Sequence, residues 1–350
     1  MRILILNRVE PPAPGATGRL VQELSDCLRN QGHEVQTITT GKLPARIIPY
    51  LFSWLSIGVT AFLTHRADRV VVMTDPPMLA LWIPILKFRH GKIIHWCQDL
   101  YPDAFPVIGI HFPEFVQKYL VKLNRWALRA ADKIIALGEC MVVRLRAYAD
   151  NIAIIPNWSE RDIATNEVSE AEPLTILYAG NIGLVHPVDA IVTAIQSCRH
   201  LPVKFILMTG GKGEEVLKNK LSDQVNVTFL PPQPWERAKT IQSMCHLHII
   251  ALKDEALGVA MPVKTYAAIK NARPYIFIGP KECEAAQLAL AHGCGEIIAP
   301  ADAVNFSKLV QSYTDENGLP NDHWRQQMQN ARAISLPDSL EAVAEAIVAA

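Results

Sequence analysis

Three glycine turns hold the residue types and spacings that could handle a charged small molecule. The first, PPAPGATGR at 11–19, carries Gly15, Thr17 and Gly18 and opens a helix, whose N-terminus favours an anion. AGNIG at 179–183 offers Asn181 and Gly183, and TGGKG at 209–213 offers Gly211 and Lys212. Glycine lets the backbone come close to a ligand, successive amides suit phosphate oxygens, and a lysine adds a point charge. Neither of the two familiar nucleotide fingerprints is complete. GATG is not GxGxxG, and TGGKG is no Walker loop, because Gly213 stands where Ser or Thr would bind magnesium and Ile206 where a further glycine is needed. Each turn alone reads equally well as an ordinary tight turn; three together point to phosphate handling.

Other side chains have a chemical and a plain reading side by side. Gln98 and Asp99 follow an apolar run, KIIHWC, where a carboxylate could orient a ligand or simply cap the next turn. Glu139 lies just past KIIAL and could meet a ligand beyond the strand end or begin a helix. Tyr266 could touch a ligand or fill a core. His95 alternates inward on its run and reads as packing. His246 and His248 share one face of a strand but have no third ligand at a useful spacing, so no metal is expected. Over 115–131, Lys118, Lys122, Arg125 and Arg129 form one stripe, with Phe115, Tyr119, Leu123, Trp126 and Ala130 on or near the other face. That is a solvated face or a docking stripe for anionic lipid.

The elements that must hold these residues are short apolar runs alternating with helical patterns. The runs at 3–6, 34–40, 70–73, 92–97, 133–137 and 152–156 form one series. Those at 175–180, 204–210, 226–230, 246–252, 275–279 and 296–300 form a second. Such alternation gives parallel, doubly wound sheets, and in these the ligand lies beyond the carboxyl ends of the strands, where the glycine turns fall. Between the two series runs a polar, acidic stretch that ends at Pro173 and reads as a linker. The expected organisation is two Rossmann-like α/β domains, 1–165 and 172–336, with a terminal helix over 337–350.

The composition bounds the partners. In 350 residues, 34 Lys and Arg balance 34 Asp and Glu, so no overall field favours nucleic acid. Residues 1–165 hold 19 basic and 14 acidic side chains, a net of +5, and the remainder is net −5. The seven cysteines are scattered without a CxxC pair, which suits a reducing, cytoplasmic compartment. The opening MRILIL is too short for a secretory apolar region and reads as a strand. The uncharged stretch 47–63 is just under the ~20 residues that span hydrocarbon. It reads as a helix packed on a sheet, with lipid contact as the alternative.

Motifs in order along the chain carry a resemblance. They are the opening through GHEV, then TDPP, QDLYPD, LNRWALRAADKIIALGECM, IPNW, YAGNIGLVH, MPVKTYAAIKNARP and GCGEIIAPAD. Together they resemble the nucleotide-sugar-dependent glycosyltransferases of family 4, of the GT-B fold, in the branch similar to bacterial exopolysaccharide and colanic-acid enzymes. The resemblance implies retaining transfer of a hexose-type sugar from a nucleotide-diphosphate sugar, with no obligatory metal, in a cleft between an acceptor-side N-terminal domain and a donor-side C-terminal domain. Gly15, Thr17 and Gly18 would line that cleft, and the Gly183 amide would meet the distal phosphate. Lys264 would neutralise the leaving diphosphate, and Leu230 and Pro231 would hold the base. It further implies a polyprenyl-linked saccharide acceptor and a peripheral place on the inner face of the membrane, and the terminal helix would cross back to the first domain. The chain departs from the family at Val259 and Ala267, where many members carry glutamates, and at Val185 and His186, where many carry a basic residue. Those departures keep open a catalytically silent donor-binding or partner subunit. A nucleotide-sugar epimerase or hydrolase is a further alternative.

Overall fold

The computed structural model describes residues 1–9, 16–41, 47–158 and 168–350, so Gly15 and most of the expected linker lie outside the described residues. The chain divides into two compact units. Unit 1 comprises 1–157, 258–261 and 338–350; unit 2 comprises 158–257 and 262–337.

Unit 1 begins with β1 (Arg2–Leu6), α1 (Ala16–Asn30), β2 (Glu34–Ile38), α2 (Ile47–Leu63) and β3 (Arg69–Val72). It continues with α3 (Ile83–Leu86), β4 (Lys92–Trp96), α4 (Ala104–Val107), α5 (Glu114–Arg129), β5 (Lys133–Ala136), α6 (Glu139–Leu145) and β6 (Ile152–Ile154). The inner strands are runs rich in Ile, Leu and Val, as strands buried on both faces must be, while β2 at the sheet edge, EVQTI, alternates with polar, exposed residues. All pairings are parallel, in the order β2-β1-β3-β4-β5-β6. The step from β1 to β2 runs one way across the sheet and every later step runs the other way. Because such crossovers are right-handed, α1 lies on one face and α2, α3, α5 and α6 on the other. The reversal falls between β1 and β3, and the crevice of a doubly wound sheet opens there.

Unit 2 repeats the plan with β7 (Thr175–Asn181), α7 (Val188–Ser197), β8 (Lys204–Gly210), α8 (Glu214–Leu221), β9 (Val227–Leu230), α9 (Trp235–Met244) and β10 (Leu247–Ala251). Next come α10 (Lys264–Lys270), β11 (Tyr275–Ile278), α11 (Glu284–His292), β12 (Gly295–Ile298), α12 (Phe306–Ser312) and α13 (Asp322–Ala333). Its strand order is β12-β11-β10-β7-β8-β9, all parallel, with the reversal between β7 and β10. Its core joins Ile176, Tyr178, Phe205, Ile249 and Trp324. Each of the twelve strands expected from the sequence is present.

The last helix, α14 (Ser339–Val348), belongs to unit 1 and lies on the same side of that sheet as α1. Asp338 caps its N-terminus by accepting from the Glu341 amide, and Leu340, Val343, Ala344 and Ile347 are buried. At the other end Arg69 donates to the carbonyls of Ile347 and Val348 at 3.1 and 3.0 Å, and Lys133 donates to that of Ala346 at 3.2 Å. Two cations thus satisfy the orphan carbonyls of the helix terminus.

Candidate functional site

In unit 2 the reversal point is built from the turn after β7, the turn after β8 and the start of α10. Lys264 opens α10, and its part-buried ammonium sits 4.2 Å above the centre of the Tyr178 ring and donates to Tyr178 Oη at 3.2 Å. Tyr178 is fully buried in β7. Two residues on, Gly180 has φ +106°, and a Cβ there would lie 2.9 Å from Lys264 Cε. Glycine at this position therefore lets the lysine stem cross the end of the strand. No carboxylate pairs with Lys264 among the described residues, and burial pushes its pKa down to about 7. A cation held out of water by a ring and one hydroxyl is poised to be restored by an incoming anion.

Next to it, the Gly183 amide donates to His186 Nδ1 at 3.0 Å. Burial, with Lys264 and Lys253 adding, lowers the imidazole to about 3, so His186 is neutral, with its proton on Nε2. The Gly183 amide, expected to meet the distal phosphate, is thus capped by this ring, which a phosphate there must displace. Asn181 and Gly211 are exposed, and Gly211 has φ +96°. Lys212 is exposed too, with no ion-pair partner among the described residues. Leu230 ends β9, opposite Met208, and Pro231 follows it exposed at the rim. Tyr266 lies one turn into α10 and is buried.

In unit 1 the carboxyl ends of β1, β3 and β4 hold a second group. Arg8 and Asp75 form an ion pair at 2.8 Å across the reversal point, and the guanidinium also stacks 4.7 Å over Tyr50. Asp99 is part-buried, and no described residue donates to its carboxylate. Burial, with Asp75 adding, raises its pKa to about 6. It borders a small cavity shared with Thr74, His95, Cys97 and Tyr101. Its own amide donates to Thr74 Oγ1 at 3.3 Å, and the Leu100 amide donates to the Val259 carbonyl at 2.8 Å. The strand-like segment carrying Val259 and Ala260 therefore pairs with the backbone of Asp99.

Gln98, expected beside Asp99 in the chemistry, is committed elsewhere. Its amide exchanges two hydrogen bonds with the Asn157 amide, at 3.2 and 2.6 Å, and the pair is buried. Gln98 thus positions the end of β4. Thr17 and Gly18 lie in the first turn of α1, part-buried and buried. Glu139 is exposed at the first position of α6, where acidic charge suits the helix dipole. His95 bonds the Val72 carbonyl, and burial lowers it to about 4. His246 accepts from the Thr175 amide, and its other nitrogen bonds the Ser169 carbonyl; His248 bonds that of Gln242. Both imidazoles serve the backbone.

Lys118, Lys122, Arg125 and Arg129 are exposed on α5, and so are Phe115, Tyr119 and Trp126. The opposing apolar face expected from the sequence is wrong for these three aromatics. The helix buries Asn124, Ala127 and Leu128 and turns its rings outward among its cations.

The sequence reading missed Tyr178, Arg8 and Asp75. The only available signals were an aromatic residue two positions before the glycine turn, and one charge of each sign just after two apolar runs.

No protein-family model matches the chain. WcaI of Escherichia coli K12, named as a candidate colanic acid biosynthesis glycosyl transferase, is 24% identical, covering 75% of this chain and 80% of WcaI. Among solved structures, the fold is similar to that of WaaG, a glycosyltransferase involved in lipopolysaccharide biosynthesis. The TM-score is 0.70 at 15% identity, with both chains covered completely. It is also similar to a sucrose-phosphate synthase from Thermosynechococcus elongatus, with TM-score 0.72 and 13% identity over 99% of this chain and 97% of that one.

Proposed function

We propose that this chain, a glycosyltransferase of the GT-B fold similar to those of exopolysaccharide synthesis, moves a hexose from a nucleotide-diphosphate sugar to a lipid-linked saccharide, with retention at the anomeric carbon. The observation that carries the reading is Lys264: a part-buried cation with no carboxylate partner among the described residues, at the reversal point of the unit 2 sheet, beside two glycine turns. In this reading the diphosphate lies against Lys264 and the amides of the turns at 179–183 and 209–213, with Lys212 at the rim and the base over Leu230 and Pro231. The acceptor hydroxyl attacks the anomeric carbon from the face the diphosphate leaves, and a phosphate oxygen takes the hydroxyl proton. The bond from the anomeric carbon to that phosphate oxygen breaks while the glycosidic bond forms. Lys264 stabilises the charge growing on the leaving group, so the reading assigns that task to the protein and not to a metal. Asp99 supplies a carboxylate beside the segment that lacks the family glutamate, and it orients a hydroxyl of the sugar or acceptor. A protein base is not needed, which suits an aspartate pushed up to about 6.

A second reading, a donor-binding subunit without turnover, is favoured by Val259 and Ala267 in place of carboxylates and by the capped Gly183 amide. Incubation with radiolabelled nucleotide sugars and polyprenyl-diphosphate saccharides separates the two. Transfer predicts label in the lipid phase, with free nucleotide diphosphate released in equal amount. Nucleotide release without acceptor would mean hydrolysis. No release at all, from protein that binds donor, would mean the silent subunit.

A further inference from the structure

We infer that the cavity behind Asp99 is a site for one bound water, held by His95 and Thr74, which fixes the Asp99 carboxylate, so that His95 is a positioning residue for the reaction. The first observation is how the sheet builds this cavity. Along β4 and just past it, side chains alternate between faces, so His95, Cys97 and Asp99 turn the same way. Val72 lies beside His95 in the register of β3 and β4, and Thr74, two residues on, joins the same wall. Leu79, from the turn after β3, and Asn124, from α5, close the cavity from the other side. His95, Thr74 and Asn124 are buried and form its floor; Met78, Asp99 and Tyr101 are part-exposed and form its mouth. The volume, about 10 Å³, has room for a single water.

The second observation is the set of polar atoms that the protein leaves unsatisfied there. His95 Nδ1 lies 2.9 Å from the Val72 carbonyl, which can only accept, so Nδ1 carries the proton. Burial keeps the ring neutral, and Nε2 is therefore a bare acceptor to which no described residue donates, on a side chain 3% exposed. Thr74 Oγ1 accepts from the Asp99 amide at 3.3 Å, while its own hydrogen has no acceptor among the described residues. The Asp99 carboxylate has no donor among them either. Two acceptors and one donor thus line one small space. A water satisfies all three: it accepts from the Thr74 hydroxyl, gives one hydrogen to His95 Nε2 and the other to the inner oxygen of Asp99. Three bonds are what a buried water ordinarily makes, and bare polar atoms at this depth are costly.

The mouth is also fixed. Met78 has φ 61°, and Trp54 Nε1 donates to its carbonyl at 3.0 Å. A methionine keeps that conformation only where its surroundings impose it. With the inner oxygen of Asp99 bound to the water, the outer one is left to accept from a substrate hydroxyl. His95 never touches substrate; it holds the water that holds the carboxylate. An amide oxygen accepts the same bond, so Asp99→Asn keeps the water, and the bridge cancels from that variant's stability.

This inference rests on the reading of Asp99 as the group that orients a hydroxyl, and two of its tests need neither donor nor acceptor. High-resolution diffraction of the free wild type is expected to show a water within hydrogen-bond distance of His95 Nε2, Thr74 Oγ1 and the Asp99 carboxylate. Nitrogen-15 NMR of histidine-labelled protein is expected to show His95 protonated at Nδ1 and bare at Nε2, with the Nε2 signal displaced in Thr74→Val. An ordered cavity without a water, a cation in its place, or a proton on Nε2 would each overturn the inference. The positioning role is read from transfer in a double-mutant cycle. His95→Leu is expected to lower kcat at least about tenfold with the donor KM unchanged, since a carboxylate out of place costs the chemical step. His95→Gln keeps a donor for Val72 and an acceptor for the water, and should restore most of the rate. In the Asp99→Asn background His95→Leu should cost far less, because the residue acts through the carboxylate. An equal cost in both backgrounds, or no rescue by glutamine, would mean that His95 only packs. Should His95→Leu misfold, the wild-type diffraction and NMR still decide. A wild type that transfers no sugar would fail the transfer reading, and with it the role of His95, whatever the cavity holds.

Discussion

Lys264 and Asp99 show the same physics with opposite signs. Burial without a counter-charge favours the neutral form, so the lysine falls to about 7 and the aspartate rises to about 6. Each is an unpaired group held at some cost to the fold, as binding sites hold theirs. For Asp99 the pH dependence follows directly. Its folded pKa lies above the unfolded value, so its stabilising contribution is complete below about pH 4 and is lost as pH rises through about 6. Asp99→Asn is therefore expected to raise stability by roughly 1–3 kcal/mol at pH 8 and by nothing near pH 3 to 4, while slowing transfer. Denaturant melts across that range check it; a variant less stable than wild type at pH 8 would mean the carboxylate has a donor. The positions of Asp99 just past β4 and of Lys264 at the start of α10 can be read from motif and strand order. The partners of Lys264 cannot: Tyr178 lies 86 residues away. Likewise the Arg8–Asp75 pair joins ends of neighbouring strands separated by 67 residues. Sequence spacing carries no record of such contacts.

Among the elements, strands are easily read and helix faces are not. A strand buried on both sides announces itself as a run of Ile, Val and Leu, as β1 and β3 do, whereas the edge strand β2, EVQTI, is read from its alternation. A helix face depends on what it packs against. In α5 a periodicity that sorts cations from rings divides the wrong way, because the 16-residue helix buries little beyond Asn124, Ala127 and Leu128. In α2 the serine stripe that a helical projection would turn to water contains the buried Ser53. Close approach is the reason. At Gly58 a Cβ would fall 1.9 Å from a carbon of the Trp82 ring, an overlap no rotamer relieves. Gly58→Val is expected to destabilise the chain by about 2–4 kcal/mol. It should loosen the contact of Trp54 with Trp82, whose ring centres lie 5.2 Å apart. Tm and near-ultraviolet circular dichroism report both; an unchanged Tm would mean that α2 is free to shift outward at no cost.

Across the whole molecule, the chain does not respect the order of its own units. Residues 258–261 and 338–350 return to unit 1 after unit 2 has begun, the first to pair beside Asp99 and the second to lie with α1. The terminal helix has an apolar periodicity that shows it must be buried, and only family resemblance suggests where. The short return at 258–261 has no signal, since four residues can hold no period. The same return places Val259 and Ala260 beside the backbone of Asp99 and Leu100. The charge asymmetry, +5 for residues 1–165 and −5 for the rest, is present in the bare composition, and the structure exposes four of those basic side chains on α5 and others, such as Arg66, Lys87, Arg89 and Lys92, away from it.

The direct measurement is a thermal-shift titration with UDP, GDP, TDP and their sugar conjugates, on the wild type and on Lys264→Met, at about pH 6 and about pH 8.5. At ~100 times its dissociation constant, the right nucleotide should stabilise the wild type by ~2.7 kcal/mol. The shift should shrink at the higher pH, where Lys264 must gain a proton to bind. Lys264→Met should melt higher than wild type without nucleotide and respond little to it. A wild type that is folded yet shifts with no nucleotide, or a Lys264→Met variant that shifts as far as wild type, would contradict the assignment of Lys264 as the diphosphate anchor.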